Sequence, residues 1–88
     1  MHLMPVVFRH KGFRFFFYSN EGQPLEPIHI HVRHGAAEAK FWLNPTVRVA
    51  GSHGMSAATL RELAAVIEQN RRLIEEAWHE RFGKDTAF

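Results

Sequence analysis

The sequence contains no cysteine, and this absence limits both its stability and its chemistry. Disulfide bonds, thiolate zinc sites and cysteine nucleophiles are excluded. The chain also lacks an apolar run near the roughly 20 residues that a membrane-spanning helix requires. Its first residues lack the basic start and apolar stretch of a secretory signal peptide. We therefore expect a cytoplasmic protein that does not associate with a membrane.

Neither sign of charge dominates the chain, whose formal net charge is +2. The charge is nevertheless uneven, because residues 1–54 carry six basic and three acidic side chains, whereas residues 55–88 carry five and six. Six of the seven histidines also lie in the first part. A mildly basic, histidine-rich half is compatible with a phosphate-bearing partner, although ordinary surface charge is the simpler explanation.

The apolar content indicates one packed domain over residues 1–88. Hydrophobic residues make up 45% of the chain and include eight phenylalanines and two tryptophans, which is enough for one core at this length. Up to about Gly54, short segments alternate with period two between Gly, Pro or Asn residues, and this pattern predicts strands. The predicted strands are residues 6–9, 13–18, 28–33, 38–43 and 47–50.

After Gly54 the apolar residues recur with the 3.6-residue period of a helix. This period predicts one long helix over about residues 56–82, with Ser56 as its N-cap. The predicted fold is therefore α+β: an antiparallel meander of four or five strands with one long C-terminal helix packed on one face. A helix longer than its sheet, together with an exposed strand edge, is compatible with a homodimer.

Two of the predicted strands, residues 28–33 and 38–43, alternate strictly between apolar and polar side chains. One antiparallel register pairs Arg33 with Glu38 on the polar face and Val32 with Ala39 on the apolar face. A shift by one residue would disrupt both faces, so this register is strongly favoured. The polar face of the hairpin then carries His29, His31, Arg33, Glu38, Lys40 and Trp42.

This polar face is the candidate site, and binding of RNA is one function that it could serve. Arg33 and Lys40 would contact phosphates, while Trp42, together with Tyr18, would stack on an unpaired base. His29 or His31 would act as general acid or base on a 2′-hydroxyl, because imidazole changes its charge near neutral pH. Such a metal-independent ribonuclease needs neither a cofactor nor a deep pocket.

Three alternatives remain open for the same residues. His29 and His31 point to one side of their strand and could bind a divalent metal, but no third ligand is evident and the nearby cations would repel it. No metal site is therefore favoured. The face could instead bind a protein, with Trp42 as the anchor, or be an ordinary solvated surface in which Arg33 and Glu38 form a cross-strand pair.

The order of several motifs resembles a known family. Residues 12–22 (Gly-Phe-Arg-Phe-Phe-Phe-Tyr-Ser-Asn-Glu-Gly), 27–32 (Pro-Ile-His-Ile-His-Val) and 38–45 (Glu-Ala-Lys-Phe-Trp-Leu-Asn-Pro) carry the resemblance, together with the helical segment 60–83. The family is domain of unknown function 4160, a group of small bacterial proteins. The resemblance extends over about residues 4–83.

Members of that family are often encoded beside another small protein in an arrangement like a toxin–antitoxin pair. The resemblance thus implies a toxin-like protein that acts on RNA and has a small cognate protein partner encoded nearby. A non-enzymatic antitoxin or regulator is the alternative. The resemblance assigns no catalytic role, but it adds Arg14 to the expected substrate-binding residues. The family's motif residues in this chain are Arg14, Tyr18, Asn20, His29, His31, Glu38, Lys40 and Trp42.

Overall fold

The computed structural model describes residues 3–19 and 26–83. This part of the chain forms five strands followed by two helices, which confirms the α+β prediction. Asn20, one of the family's motif residues, lies outside the described residues. The elements are β1 (Leu3–His10), β2 (Phe13–Tyr18), β3 (His29–His34), β4 (Ala37–Trp42), β5 (Arg48–His53), α1 (Ala57–Gln69) and α2 (Arg71–Phe82).

The five strands form one antiparallel meander in the order β1-β2-β3-β4-β5. The turn from β1 to β2 consists of Lys11 and Gly12, whose φ angles of 50° and 83° are both positive. Two positive φ angles are typical of the two-residue hairpin turns whose twist matches that of the strands. Gly35, at φ 60°, begins the two-residue turn between β3 and β4, in which only this first residue has a positive φ.

The core lies between one face of the sheet and both helices. Phe15 of β2, Ile30 of β3 and Phe41 of β4 are fully buried against Ile67 of α1 and Trp78 of α2. Burying each large apolar side chain contributes about 1.5–3 kcal/mol, so this layer holds the helices to the sheet. The opposite face of the sheet is thereby left to the polar side chains.

The prediction of one long helix over residues 56–82 is wrong, because the helix is interrupted at Asn70. The backbone of Asn70 leaves the helical region, at φ −111° and ψ 17°. Its side-chain amide donates a hydrogen bond to the Val66 carbonyl (2.8 Å), a local bond that competes with helical continuation. Arg71, the first residue of α2, donates to the Asn44 side-chain oxygen beyond β4 (2.9 Å). The second helix is therefore anchored to the end of the sheet.

The start of the helical region is as predicted. The Ser56 hydroxyl accepts a hydrogen bond from the Thr59 backbone N–H (3.1 Å), as an N-cap does. Within the described residues, neither helix is long and apolar enough to cross a membrane.

The last strand is longer than its predicted span of residues 47–50, since β5 continues to His53. Its pairing with β4 shifts at one point, where Lys40 faces Gly51 but Phe41 faces Val49. Ala50 is therefore the extra residue of a β-bulge, which re-aims the side chains that follow it. Because of the bulge, residues 48, 51 and 53 all lie on the face opposite the helices.

Candidate functional site

The sheet face opposite the helices carries the side chains that the sequence predicts. The pairs Arg33–Glu38, His31–Lys40 and His29–Trp42 are all present, which confirms the predicted hairpin register. Residues paired across an antiparallel ladder share a face, so the neighbouring strands add further members. We call this surface the polar face; it comprises Arg14, Phe16, Tyr18, His29, His31, Arg33, Glu38, Lys40, Trp42, Arg48, Gly51 and His53.

Glu38 is the centre of the hydrogen bonding on the polar face. The Tyr18 hydroxyl donates to its Oε2 (2.8 Å), and the Arg33 guanidinium donates to its Oε1 (2.7 Å). Burial alone would raise the pKa of Glu38, but these two bonds outweigh it and hold the pKa below its ordinary value. The bond to Glu38 correspondingly raises the pKa of Arg33. Glu38 is therefore a fixed negative charge at neutral pH.

His31 lies beside this carboxylate. Its Nδ1 is 3.7 Å from Glu38 Oε2, and its side chain is only slightly exposed. The Phe16 ring stacks on the imidazole and the Tyr18 ring meets it edge-on. Glu38 therefore places a negative charge beside Nδ1 of the imidazole. His31 is thus an oriented imidazole with a supporting charge.

His29, the other predicted catalytic histidine, lies in a different environment. It is fully buried, and its Nδ1 donates a hydrogen bond to the Pro27 carbonyl (3.0 Å). Its ring touches Trp42 on the polar face and also Trp78 of α2 (centroids 5.4 and 5.1 Å apart). His29 therefore connects the two layers of the protein. Its catalytic role stays a prediction, but its enclosure suits a structural role better.

The predicted cationic and aromatic residues interact with one another. Lys40 Nζ lies 4.4 Å from the centre of the Trp42 ring and 3.8 Å from Glu26 Oε1. The first contact is a cation–π interaction, so Lys40 covers a ring face that was expected to stack on a base. Glu26 was not predicted as part of the site. An incoming phosphate would compete with this carboxylate for Lys40.

A shallow groove of about 300 Å³ opens on the polar face between β3 and β5. His31 and Lys40 border it from the hairpin, and His53 borders it from β5. His53 faces Glu38 across the β4–β5 pair, and its Nε2 donates to the Ala36 carbonyl (3.0 Å). The complete lining is His31, Glu38, Ala39, Lys40, Gly51, Ser52 and His53.

His53 was missed by the sequence prediction because β5 was expected to end at residue 50. Only the pairing of a longer β5 with β4, combined with the bulge, places residue 53 opposite Glu38. Gly51 lies in the same groove, opposite Lys40. A Cβ at this position would meet no atom within 4 Å, so the groove has room for a side chain there.

The geometry does not favour a metal site formed by His29 and His31. Their ring centroids are 5.3 Å apart with planes at 84°, and His29 Nδ1 is bound to a carbonyl. Among residues 3–19 and 26–83, no cluster of three or more His, Cys, Asp or Glu residues is arranged to hold a metal ion. Two imidazoles alone make an incomplete ligand set.

The sequence model of a family described as a domain of unknown function (DUF4160) matches residues 12–79. This stretch begins just before β2 and ends within α2, so it includes most of the polar face and of the core. No curated protein and no solved structure matches the chain. Its function must therefore be argued from the geometry of the site.

Proposed function

Because the chain belongs to the DUF4160 family, whose description assigns no activity, we propose its function from the polar face: it binds RNA and cleaves it without a metal ion. Such an activity is what a toxin-like component of a bacterial two-protein module would need. The observation that carries the proposal is the groove in which His31, supported by Glu38, lies beside Lys40. A base, its supporting carboxylate and a cation thus border one open space.

Binding would rest on the charge and the rings of the polar face. Four cationic side chains on it, Arg14, Arg33, Lys40 and Arg48, outnumber the carboxylates of Glu38 and the adjoining Glu26. Lys and Arg attract the phosphates of RNA. The partly exposed ring of Tyr18, and the part of the Trp42 ring that Lys40 leaves uncovered, add surfaces on which unpaired bases stack. The open face suits a single strand better than a stacked duplex.

The chemistry would depend on His31. Its Nε2 would accept the proton of a ribose 2′-hydroxyl, while ionised Glu38 beside Nδ1 would orient the ring and stabilise the imidazolium that forms. Lys40, which faces His31 across the β3–β4 pair, would neutralise the charge that develops on the phosphate oxygens. No step in this scheme requires a metal.

The test measures binding and cleavage of a labelled single-stranded RNA by the purified protein in the presence of EDTA. We expect wild-type protein to bind and cleave. His31→Ala should lose about 10²- to 10⁴-fold in cleavage rate, the usual contribution of a general base, and should bind within a few-fold of wild type. Expression of wild-type protein, but not of His31→Ala, should then arrest bacterial growth.

A groove-filling variant provides a second test. Gly51→Val places a side chain in open space and should weaken both binding and cleavage while the protein stays folded. Val49→Leu is the matched control, because residue 49 lies on the same strand but faces the helix side. The proposal fails if wild-type protein neither binds nor cleaves RNA, or if His31→Ala cleaves at the wild-type rate.

A non-enzymatic protein that binds its cognate partner is the second candidate. It is supported by β5, an edge strand whose six residues are all exposed. An exposed edge offers backbone groups for pairing with another chain. In that case substitutions on the outer side of β5 would prevent co-purification of the partner, and His31→Ala would have no effect.

A further inference from the structure

We propose that His53 is the general acid that works with His31, and that the cleavage is a transesterification within the RNA strand. This inference rests on the proposed function and names its reaction class and its second proton-transfer group. The observation behind it is that two histidines from non-adjacent strands, β3 and β5, border one groove, with Lys40 and Glu38 of β4 between them. The sequence prediction instead offered His29 or His31 as general acid or base.

The strand registers set the separation of the two histidines. His31 is paired with Lys40, and His53 is paired with Glu38, so β4 runs between them and they are offset by two residues along it. Across the sheet, their backbones are two strand spacings apart, at about 4.8 Å each. Along the strands, they are two residues apart, at about 3.4 Å per residue. Both side chains rise from the same face. A phosphodiester between the two rings would lie over Lys40 and Glu38 of β4.

The contacts of the two imidazoles distinguish their ring nitrogens. His53 Nε2 donates to the Ala36 carbonyl, which can only accept, so this nitrogen keeps its proton throughout. The proton that His53 gives must therefore come from Nδ1. In His31 the carboxylate of Glu38 lies 3.7 Å from Nδ1, and the proposed scheme assigns proton acceptance to Nε2.

The reaction balances with these groups alone. The ribose 2′-oxygen forms a bond to phosphorus as its proton passes to His31 Nε2. The bond from phosphorus to the 5′-oxygen of the next nucleotide breaks, and that oxygen receives the proton of His53 Nδ1. The products are a 2′,3′-cyclic phosphate and a 5′-hydroxyl. Solvent then returns a proton from His31 to His53, and DNA, which has no 2′-hydroxyl, is not a substrate.

A pair of substrates with different leaving groups separates the acid from the base. Uridylyl-3′,5′-adenosine needs a proton on its leaving 5′-oxygen, whereas uridine 3′-(4-nitrophenyl phosphate) releases a nitrophenolate that needs none. We expect His53→Ala to lose about 10²-fold or more on the first substrate and less than about fivefold on the second. His31→Ala should lose activity on both, because both require the base.

Two further variants keep the result interpretable. His53→Gln retains a side-chain N–H that can donate to the Ala36 carbonyl but cannot supply a proton, so it should behave like His53→Ala. His34→Ala removes another exposed histidine, at the end of β3, and should leave both rates unchanged. Circular dichroism of each variant shows whether it is folded.

The outcomes distinguish the two proposals. If wild-type protein cleaves neither substrate, the proposed function fails and this inference fails with it. If wild-type protein cleaves both but His53→Ala loses equally on both, or His53→Gln restores activity, His53 is not the acid and the proposed function stands. Chromatographic detection of the 2′,3′-cyclic phosphate supports the reaction class, and products that carry a 5′-phosphate overturn it.

Discussion

Replacing Glu38 by glutamine is expected to lower the free energy of unfolding by about 2 kcal/mol at neutral pH. The carboxylate accepts one hydrogen bond from Tyr18 and one from Arg33, and bonds to a charged group contribute about 1.5–3 kcal/mol each. The Arg33 side chain is 36% exposed, so solvent screens its share. An amide can still accept one neutral bond, which reduces the loss further.

The effect of this substitution should depend on pH in a defined direction. The pKa of Glu38 is lower in the folded protein than its ordinary value. A group of this kind stabilises the folded state fully above its unfolded-state pKa, and the contribution is lost as the pH falls through its folded-state pKa. The difference between wild type and Glu38→Gln should therefore shrink below about pH 4. Other carboxylates with lowered pKa values are present in both proteins, so their contributions cancel in the difference between the two unfolding free energies.

Urea unfolding followed by circular dichroism at pH 7, 5 and 3 measures this difference. The free energy of unfolding falls by about 1 kcal/mol per molar urea for a protein of this size. The urea midpoint of Glu38→Gln should therefore lie about 2 M below that of wild type at pH 7 and much closer to it at pH 3. Glu76→Gln on the exposed side of α2 is the control and should change stability by less than about 0.5 kcal/mol. A midpoint difference that is equal at pH 7 and pH 3 would refute the assigned role of the ionised carboxylate.

Two further predictions concern the helices. Ile67→Ala removes a fully buried side chain from the core and should destabilise the protein by about 2–5 kcal/mol in the same unfolding experiment. Leu73→Ala, at a 44% exposed position, is the control. Equal losses of stability in the two variants would contradict the assignment of Ile67 to the core. Ser56→Ala should lower the free energy of unfolding by about 1 kcal/mol because it removes the N-cap bond to Thr59. Ser56→Asp should retain the wild-type stability. If Ser56→Ala is as stable as wild type, the cap contributes little.

The β3–β4 hairpin could be predicted from sequence down to its residue pairs. Its two strands alternate without error, and a single register satisfies both faces. The interruption at Asn70 is signalled less clearly, because the polar residues 69–72 that interrupt the apolar stripe are compatible with a bend as well as with a break. One of the contacts at the break is non-local, since Arg71 donates a hydrogen bond to Asn44, which is distant in sequence. The apolar period resumes in phase at Ile74, beyond the junction, and therefore predicted one helix.

The sequence predicted which face of the sheet the candidate side chains lie on, but not how deeply each of them is buried. Alternation placed His29 and His31 on one face, yet the structure buries the first completely and leaves the second at the edge of a groove. Alternation cannot show this, because enclosure depends on Trp42 and Trp78 from other elements. His53 was missed since Gly51 and the residues around it resemble a turn. Their extended form follows from pairing with β4 and from the bulge, neither of which has a local signal.

The position of His29 between the two layers also has an optical consequence. The chain contains two tryptophans, Trp42 and Trp78, and both are in ring contact with this one imidazole. All indole emission of the protein therefore originates beside the same side chain. A ligand that stacks on the partly exposed ring of Trp42 would be expected to change this emission in the unlabelled native protein.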